Sequence, residues 1–312
     1  MDSISKHKLS VSDEIRNTKY PKDYFVRSDL GLQPKPGIHN VSKLTNDNEV
    51  IYDVTYTIGA DGFRVTPFYS AQTTQKVNFF GCSFLFGEGL NDDQTLPYFF
   101  ARLNASLVKN YGSHGWSPSQ ALAILESSRD TTGEVNILLT APWHASRLPC
   151  MPFFSAGLPK YVLRNGIVER DGYCPFSPIR PNTNFLAQTL SQSRFVNFVE
   201  NKINILLQNR HQDDQIKLYI GIIREIDKIS KSRGQRFTVG FIRANKKWFT
   251  GSYSNDSVIK EFIDDNIEVI DLTLARSAEA LDRKYYLNEL DKHPSALANI
   301  DRASLLVDAL RH

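Results

Sequence analysis

The sequence predicts an α/β protein, with a three-layer α/β/α arrangement around a parallel sheet over about residues 76–312. Two observations predict it. From "KVNFFG" onward, short apolar runs alternate with stretches of helical periodicity, and that alternation implies a parallel sheet covered on both faces. The chain has 312 residues, 41% hydrophobic and 23% charged, which is enough to bury such a core. In sheets of this kind ligands bind beyond the carboxyl ends of the strands, so the residues that follow each apolar run carry the functional question.

Residues 1–48 are polar and turn-rich ("GLQPKPGIHN", "LTNDNE") and read as an arm wrapping a larger body. In "EVIYDVTYTIGADGFRVTP", Val50, Tyr52, Val54, Tyr56 and Ile58 recur with the period of two that marks a strand. "GADG" supplies a turn, and 49–67 reads as a hairpin, so 1–75 forms an N-terminal arm and β-hairpin. "KVNFFG" is then a strand and "DQTLPYFFARLNASL" a helix with Pro97 near its start, where proline is tolerated. "VKNYG" is a short strand, and "SPSQALAILESSR" a helix capped by Ser117 with Pro118 in its first position. "EVNILLTAP" reads as a buried strand. Residues 145–190, rich in Pro, Gly, Phe and Tyr, read as an ordered insertion or lid over one face. Helical patterns at about 194–209 and 213–232 precede a strand at "RFTVGFI", a helix at "SVIKEFIDDN" and a strand at "IEVIDLT". The amphipathic helix 296–310 closes the chain.

Net charge is +3, from 37 basic and 34 acidic residues that are scattered rather than striped, which speaks against a nucleic-acid partner. Cys82, Cys150 and Cys174 form no CxxC pair, so neither a zinc site nor a disulfide framework is expected. The polar start "MDSISKHKLSVSDEIRNTKY" has no apolar leader core, and no segment reaches membrane-span length. The expectation is a soluble chain. A trimmed exported protein would look the same, which leaves the compartment open.

The feature that asks for chemistry is "FFGCSFLFGEG". An apolar strand stops at Gly81 and presents Ser83 before a glycine-rich turn. The hydrolase elbow G-x-S-x-G is not met, because Phe84 and Leu85 follow Ser83. Alone, Ser83 would read as a turn cap. Near the other end, Asp291 and His293 stand two residues apart in "DKHPSALAN". A carboxylate so placed can orient an imidazole whose second nitrogen faces outward, although a lone Asp-x-His is more often an idle turn.

Together these features resemble the SGNH (GDSL-type) hydrolase family. Its first block, Gly-Asp-Ser with a glycine-rich turn and a Thr-x-Pro start to a helix, is matched by "FFGCSFLFGEGLNDDQTLP". Its second block is matched in "KNYGSHGWS" by Asn110, Gly115 and Ser117, and its last block by Asp291, His293 and "PSALAN". The hairpin "YDVTYTIGADGFRVTP" is similar to a leader of bacterial members. The resemblance spans about 76–312 and implies a flavodoxin-like α/β/α fold. It also implies roles: Ser83 as nucleophile, His293 as base, Asp291 as its orienting partner, and the backbone N–H groups of Ser83 and Gly115 as an oxyanion hole.

Two departures stand out. Cys82 replaces the aspartate of Gly-Asp-Ser, and it reads as an inward packing residue rather than a nucleophile. The Gly-x-Asn-Asp block is absent; the chain there reads "LLTAPWHASR", and His144 is the nearest substitute oxyanion donor. The other reading of His144 is a partly buried histidine paired with a carbonyl. His114 lies in the second block and could line the site, but the preferred reading is a surface turn residue. Arg64 and Arg147 could bind an acidic substrate, although each is more often a solvated or carboxylate-paired arginine.

The expected function is therefore ester hydrolysis by a Ser–His–Asp relay, with no metal or organic cofactor, on a small-molecule or glycan ester. Trp116, Trp143, Phe153 and Tyr161 would line the site and suit sugar faces or acyl chains alike, with a short acyl group on a glycan preferred. An O-acyltransferase to a glycan would use the same residues. A non-catalytic carbohydrate-binding or assembly protein is the alternative from another class, supported by the missing Asn block and opposed by the three retained residues.

Overall fold

Strand β8 (Val135–Thr140) is buried at all six positions, the mark of a strand covered on both faces. It is the middle strand of a five-stranded parallel sheet in a computed structural model that describes residues 18–67, 75–127, 133–150, 157–174, 212–274 and 283–311. Its neighbours are β6 (Lys76–Gly81) and β11 (Arg236–Phe241), with β7 (Leu107–Gly112) and β12 (Glu268–Asp271) at the edges. In chain order of these five strands the sheet runs 2-1-3-4-5, the flavodoxin-like order. The predicted fold class is the one observed, and the five strands fall on the predicted segments.

Alternation along each strand builds two cores. Val77 and Phe79 of β6, with Ile137 and Leu139 of β8, pack under α2 (Leu96–Asn104) and α6 (Ala296–Leu310). Phe80, Leu138, Val239 and Phe241 point the other way, under α3 (Pro118–Glu126), α4 (Gln212–Ser232) and α5 (Asn255–Asp264). Each fully buried phenylalanine here, such as Phe79, contributes roughly 2–3 kcal/mol by leaving water. Asn78 and Asn136 also lie inside; Asn78 Nδ2 donates to Asn136 Oδ1 at 2.9 Å, and Asn136 donates to Ser230 and Gln235, so these polar groups are satisfied. Thr95 caps α2 with Pro97 in its first turn, and Ser117 caps α3 with Pro118 following, as the sequence predicts.

The N-terminal region differs from its expectation. Residues 18–44, read as an arm, contain β1 (Thr18–Lys19), β2 (Phe25–Ser28), β3 (Gly31–Pro34) and β4 (Gly37–Leu44). The predicted strand 50–58 is present as β5 (Val50–Ile58), but its partner is β4, antiparallel over nearly its full length, rather than "FRVTP". That segment returns only through the Ile58–Arg64 bridge and the Val65 N–H to Thr57 carbonyl bond. The hairpin reading missed β4 because "GIHNVSKL" alternates weakly, with His, Asn, Ser and Lys in place of a second apolar row. The β4–β5 sheet buries Val41, Tyr52, Val54 and Tyr56 against Phe86, and Arg64 bridges on to Asn110 of β7.

A second difference is covalent. Cys150 and Cys174 form a disulfide, their Cα atoms 5.2 Å apart. Spacing of 24 residues carries no pairing signal; the hairpin β9 (Pro159–Arg164) and β10 (Ile167–Tyr173) brings the chain back so that Cys174 meets it. This hairpin packs on α4, where Val168 contacts Gly221, and on the end of α3, where Tyr161 donates to Glu126 at 2.6 Å. The described part of the 145–190 insertion therefore covers a helical face. The predicted helix at 194–209 lies outside the described residues.

Candidate active site

Strand β6 ends at Gly81, and Cys82 then caps a four-residue helix, α1 (Ser83–Phe86), which stops at Gly87. This turn places Ser83 at the carboxyl end of β6, beside β8, where the strand order reverses and open α/β sheets place their ligand crevice. The far wall is the turn 287–295. Leu287 N–H donates to the His293 carbonyl, Asn288 and Asp291 exchange backbone bonds, and Ser295 caps α6. Ser83 and His293, 210 residues apart, meet there: Ser83 Oγ lies 2.9 Å from His293 Nε2. Nδ1 of the same ring lies 2.6 Å from Asp291 Oδ1, which also accepts the His293 backbone N–H at 3.0 Å.

The carboxylate fixes the tautomer. Burial favours a neutral Asp291, but the hydrogen bond and charge of His293 and the Lys43 ammonium outweigh it, holding the carboxyl well below the usual range. An ionised carboxylate only accepts, so Nδ1 carries the proton and Nε2 is left to take one from Ser83. Asp291 Oδ2 accepts from Lys43 Nζ at 2.8 Å, a cation supplied by β4 and overlooked in the sequence because it stands among polar residues 248 positions away.

The second wall comes from β7. Asn110 Nδ2 donates to the Leu85 carbonyl at 3.3 Å, while its Oδ1 accepts the Gly112 N–H at 2.9 Å. Gly112 permits the contact: a Cβ there would meet Phe86 N at 2.6 Å. Gly115 has φ +69°, a left-handed conformation that orients its peptide and is costly for other residues. The N–H groups of Ser83 and Gly115 are not used in hydrogen bonds among the described residues.

His144 sits in the 3₁₀ turn Pro142–Arg147 that follows β8. Its Nδ1 lies 3.0 Å from Thr140 Oγ1 and accepts the Ala141 N–H at 3.4 Å; Thr140 in turn contacts Tyr219 of α4. The pairing is with a hydroxyl and an amide rather than with a carbonyl. Burial, helped by Arg147, pushes the ring pKa well down, so it is neutral. With Nδ1 accepting, Nε2 holds the proton, and this buried N–H has no partner among the described residues.

Some other expectations are corrected and others hold. His114 is not a surface turn residue; it is half-enclosed by Tyr24, Phe25 and Phe86, with Nδ1 2.8 Å from Glu88 Oε2. Arg64 is buried and fully engaged by Asp92 and the carbonyls of Phe86, Gly87 and Leu90, so it braces the turn that carries Ser83. Arg147 donates to the Trp116 carbonyl. Trp116 and Tyr161 belong to the core beneath α3 and α4, and Phe153 lies outside the described residues. Trp143 does border the site: its ring packs against Phe84, whose own ring lies 5.5 Å from that of His293. Cys82 is buried, and its Sγ accepts the Phe84 N–H at 3.5 Å, in keeping with a packing role.

Glu88, like Lys43, is a site residue that sequence reasoning missed. Its Oε2 stands 3.6 Å from His293 Nε2. Burial opposes its charge, but His293 and His114 more than compensate and hold the carboxyl at about 2. The signal was an acid within a glycine-rich turn five residues after the serine, which reads as ordinary turn composition.

No family model matches the sequence, and no curated protein matches it. Among solved structures, the chain is similar to an acetyl-xylooligosaccharide esterase mutant from Geobacillus stearmophilus, at 12% identity and TM-score 0.45, covering 77% of this chain and 95% of that one. It is also similar to a G-D-S-L family lipolytic protein from Veillonella parvula, at 12% identity and TM-score 0.43, covering 77% and 100%. A third is a carbohydrate esterase family 2 enzyme with a carbohydrate-binding domain from Corynascus thermopiles, at 10% identity and TM-score 0.40, covering 80% and 69%. These likenesses are distant, and the functional reading rests on the site's own geometry.

Proposed function

We propose that the protein is a serine ester hydrolase in which Ser83, His293 and Asp291 act as nucleophile, base and orienting acid. The observation that carries this reading is the continuous relay from Ser83 Oγ to His293 Nε2 at 2.9 Å and from Nδ1 to Asp291 at 2.6 Å. Ser83 Oγ attacks the ester carbonyl as its proton passes to Nε2, and the carbonyl π electrons move to oxygen. The oxyanion is met by the N–H groups of Ser83 and Gly115, with the Nε2–H of His144 as the third donor in place of the absent asparagine. Collapse expels the alcohol, which takes the Nε2 proton. Water then attacks the acyl-serine by the same route, releasing the acid.

The substrate reading is a short acyl ester on a carbohydrate. Phe84 and Trp143 beside His293 supply flat apolar faces of the kind that stack on sugar rings. The test is a panel of p-nitrophenyl esters of rising chain length and acetylated oligosaccharides, compared between wild type and Ser83→Ala. Turnover falling with chain length and lost in Ser83→Ala is expected. Equal turnover in the two proteins would sink the hydrolase reading, and acyl transfer to an added sugar in preference to water would make it a transferase.

A further inference from the structure

We propose that Glu88 is a second carboxylate partner of His293, standing on the Nε2 side of the ring while Asp291 holds the Nδ1 side, and that His114 holds it in place. The proposal rests on the reading of Ser83 and His293 as nucleophile and base, and it adds an electrostatic positioning residue to them. The geometry is built rather than incidental. Glu88 N–H donates to the Ser83 carbonyl at 3.1 Å, so the acid is tied to the nucleophile's own turn. Its Oε2 lies between two imidazoles, 2.8 Å from His114 Nδ1 and 3.6 Å from His293 Nε2. Tyr20 donates to Oε1 at 3.4 Å, and Tyr24 fixes the far nitrogen of His114 at 3.2 Å.

At 3.6 Å the His293 contact is longer than a hydrogen bond, and Nε2 is already occupied by Ser83 Oγ. Glu88 therefore acts through its charge. When Ser83 gives its proton to Nε2, the imidazolium gains a nearby anion on the side facing substrate, in addition to Asp291 behind it. An opposite charge within about 4–6 Å favours the charged ring, so Glu88 strengthens the base. A buried carboxylate is costly unless paired, and His114 supplies the pairing that lets it stay ionised without moving onto His293.

Other charges around this pair leave the role to Glu88. Asp291 is shared between His293 and Lys43, so part of its charge is neutralised by β4. Tyr20, Tyr24, Tyr52 and Tyr56 face Glu88, and burial pushes all four hydroxyls up, keeping them neutral. Arg64 is matched by Asp92. Arg302 of α6 turns its Nε to the Leu272 carbonyl at 3.1 Å.

The experiment is an NMR titration of the His293 ring in wild type and the isosteric Glu88→Gln, alongside the acid limb of kcat/KM on p-nitrophenyl acetate. Both should move to lower pH in the variant, by roughly half a unit or more, since removing an anion weakens the base. Coincident titrations in the two folded proteins would overturn the proposal and leave Glu88 as a packing residue. If Glu88→Gln fails to fold by circular dichroism, His114→Gln replaces it. Losing the imidazole that pairs with Glu88 should leave more of the carboxylate's charge to act on His293 and move the His293 titration up, and an unmoved or lowered one would overturn the proposal. The ring titration needs no turnover, so a wild type without esterase activity would reject the hydrolase reading alone.

Discussion

Lys43 Nζ donates to Asp291 Oδ2 across 2.8 Å, with both side chains almost wholly out of solvent. The N-terminal antiparallel sheet is thereby wired into the same carboxylate that orients His293. A surface ion pair would contribute little. Here each partner is buried, and loss of either strands the other's charge.

Lys43→Met should accordingly destabilise the fold by about 3 kcal/mol, measured by urea denaturation, because Asp291 keeps its charge without its cation. Turnover should fall as well, since the Asp291 carboxylate would be free to rotate away from Nδ1. A variant as stable and active as wild type would show the pair to be dispensable.

A serine-directed fluorophosphonate should label wild type once per chain, at Ser83, because Nε2 lies 2.9 Å from the hydroxyl it must deprotonate. His293→Ala should abolish labelling. Asp291→Asn should slow it by on the order of 10⁴, since an amide leaves the imidazole in the wrong tautomer. Cys82→Ala should label normally. Labelling that survives without His293 would break the relay assignment.

His144→Ala should lower kcat by on the order of 10²–10³ while leaving KM nearly unchanged, as expected for a donor used only in the transition state. The Nε2–H, without a partner among the described residues, is what motivates this. Unchanged kcat would return His144 to a core role beneath α4 through Thr140 and Tyr219.

Acid stability follows from Glu88. Its folded-state pKa of about 2 lies below the ordinary 4.5, so the carboxylate contributes stability that is fully present above pH 4.5 and lost as pH falls through 2. The loss is on the order of 3 kcal/mol at the acid end. Asp291, also depressed, acts in the same direction at lower pH. Melting temperature followed from pH 5 to 2 should drop steeply in wild type and less steeply in Glu88→Gln. Parallel curves would remove Glu88 from the acid-labile set.

The sequence by itself determined the parallel sheet and its flanking helices, and it singled out Ser83, Asp291 and His293, whose side chains the fold brings together. Each of those signals is local: a buried strand must be apolar on both faces, "FFGCSFLFGEG" must turn where the apolar run stops, and Asp291 and His293 are close enough in sequence to bond directly. The antiparallel partner of β5, the Cys150–Cys174 disulfide, the Lys43–Asp291 pair and the Glu88–His114 pair were decided by tertiary structure alone. Each joins groups that are ordinary where they stand in the chain. Lys43 sits among polar strand residues, and Glu88 and His114 read as turn residues. Their meaning comes from burial, because only where water is excluded must every charge find a counter-charge, and the chain alone does not say which charges the fold will bury.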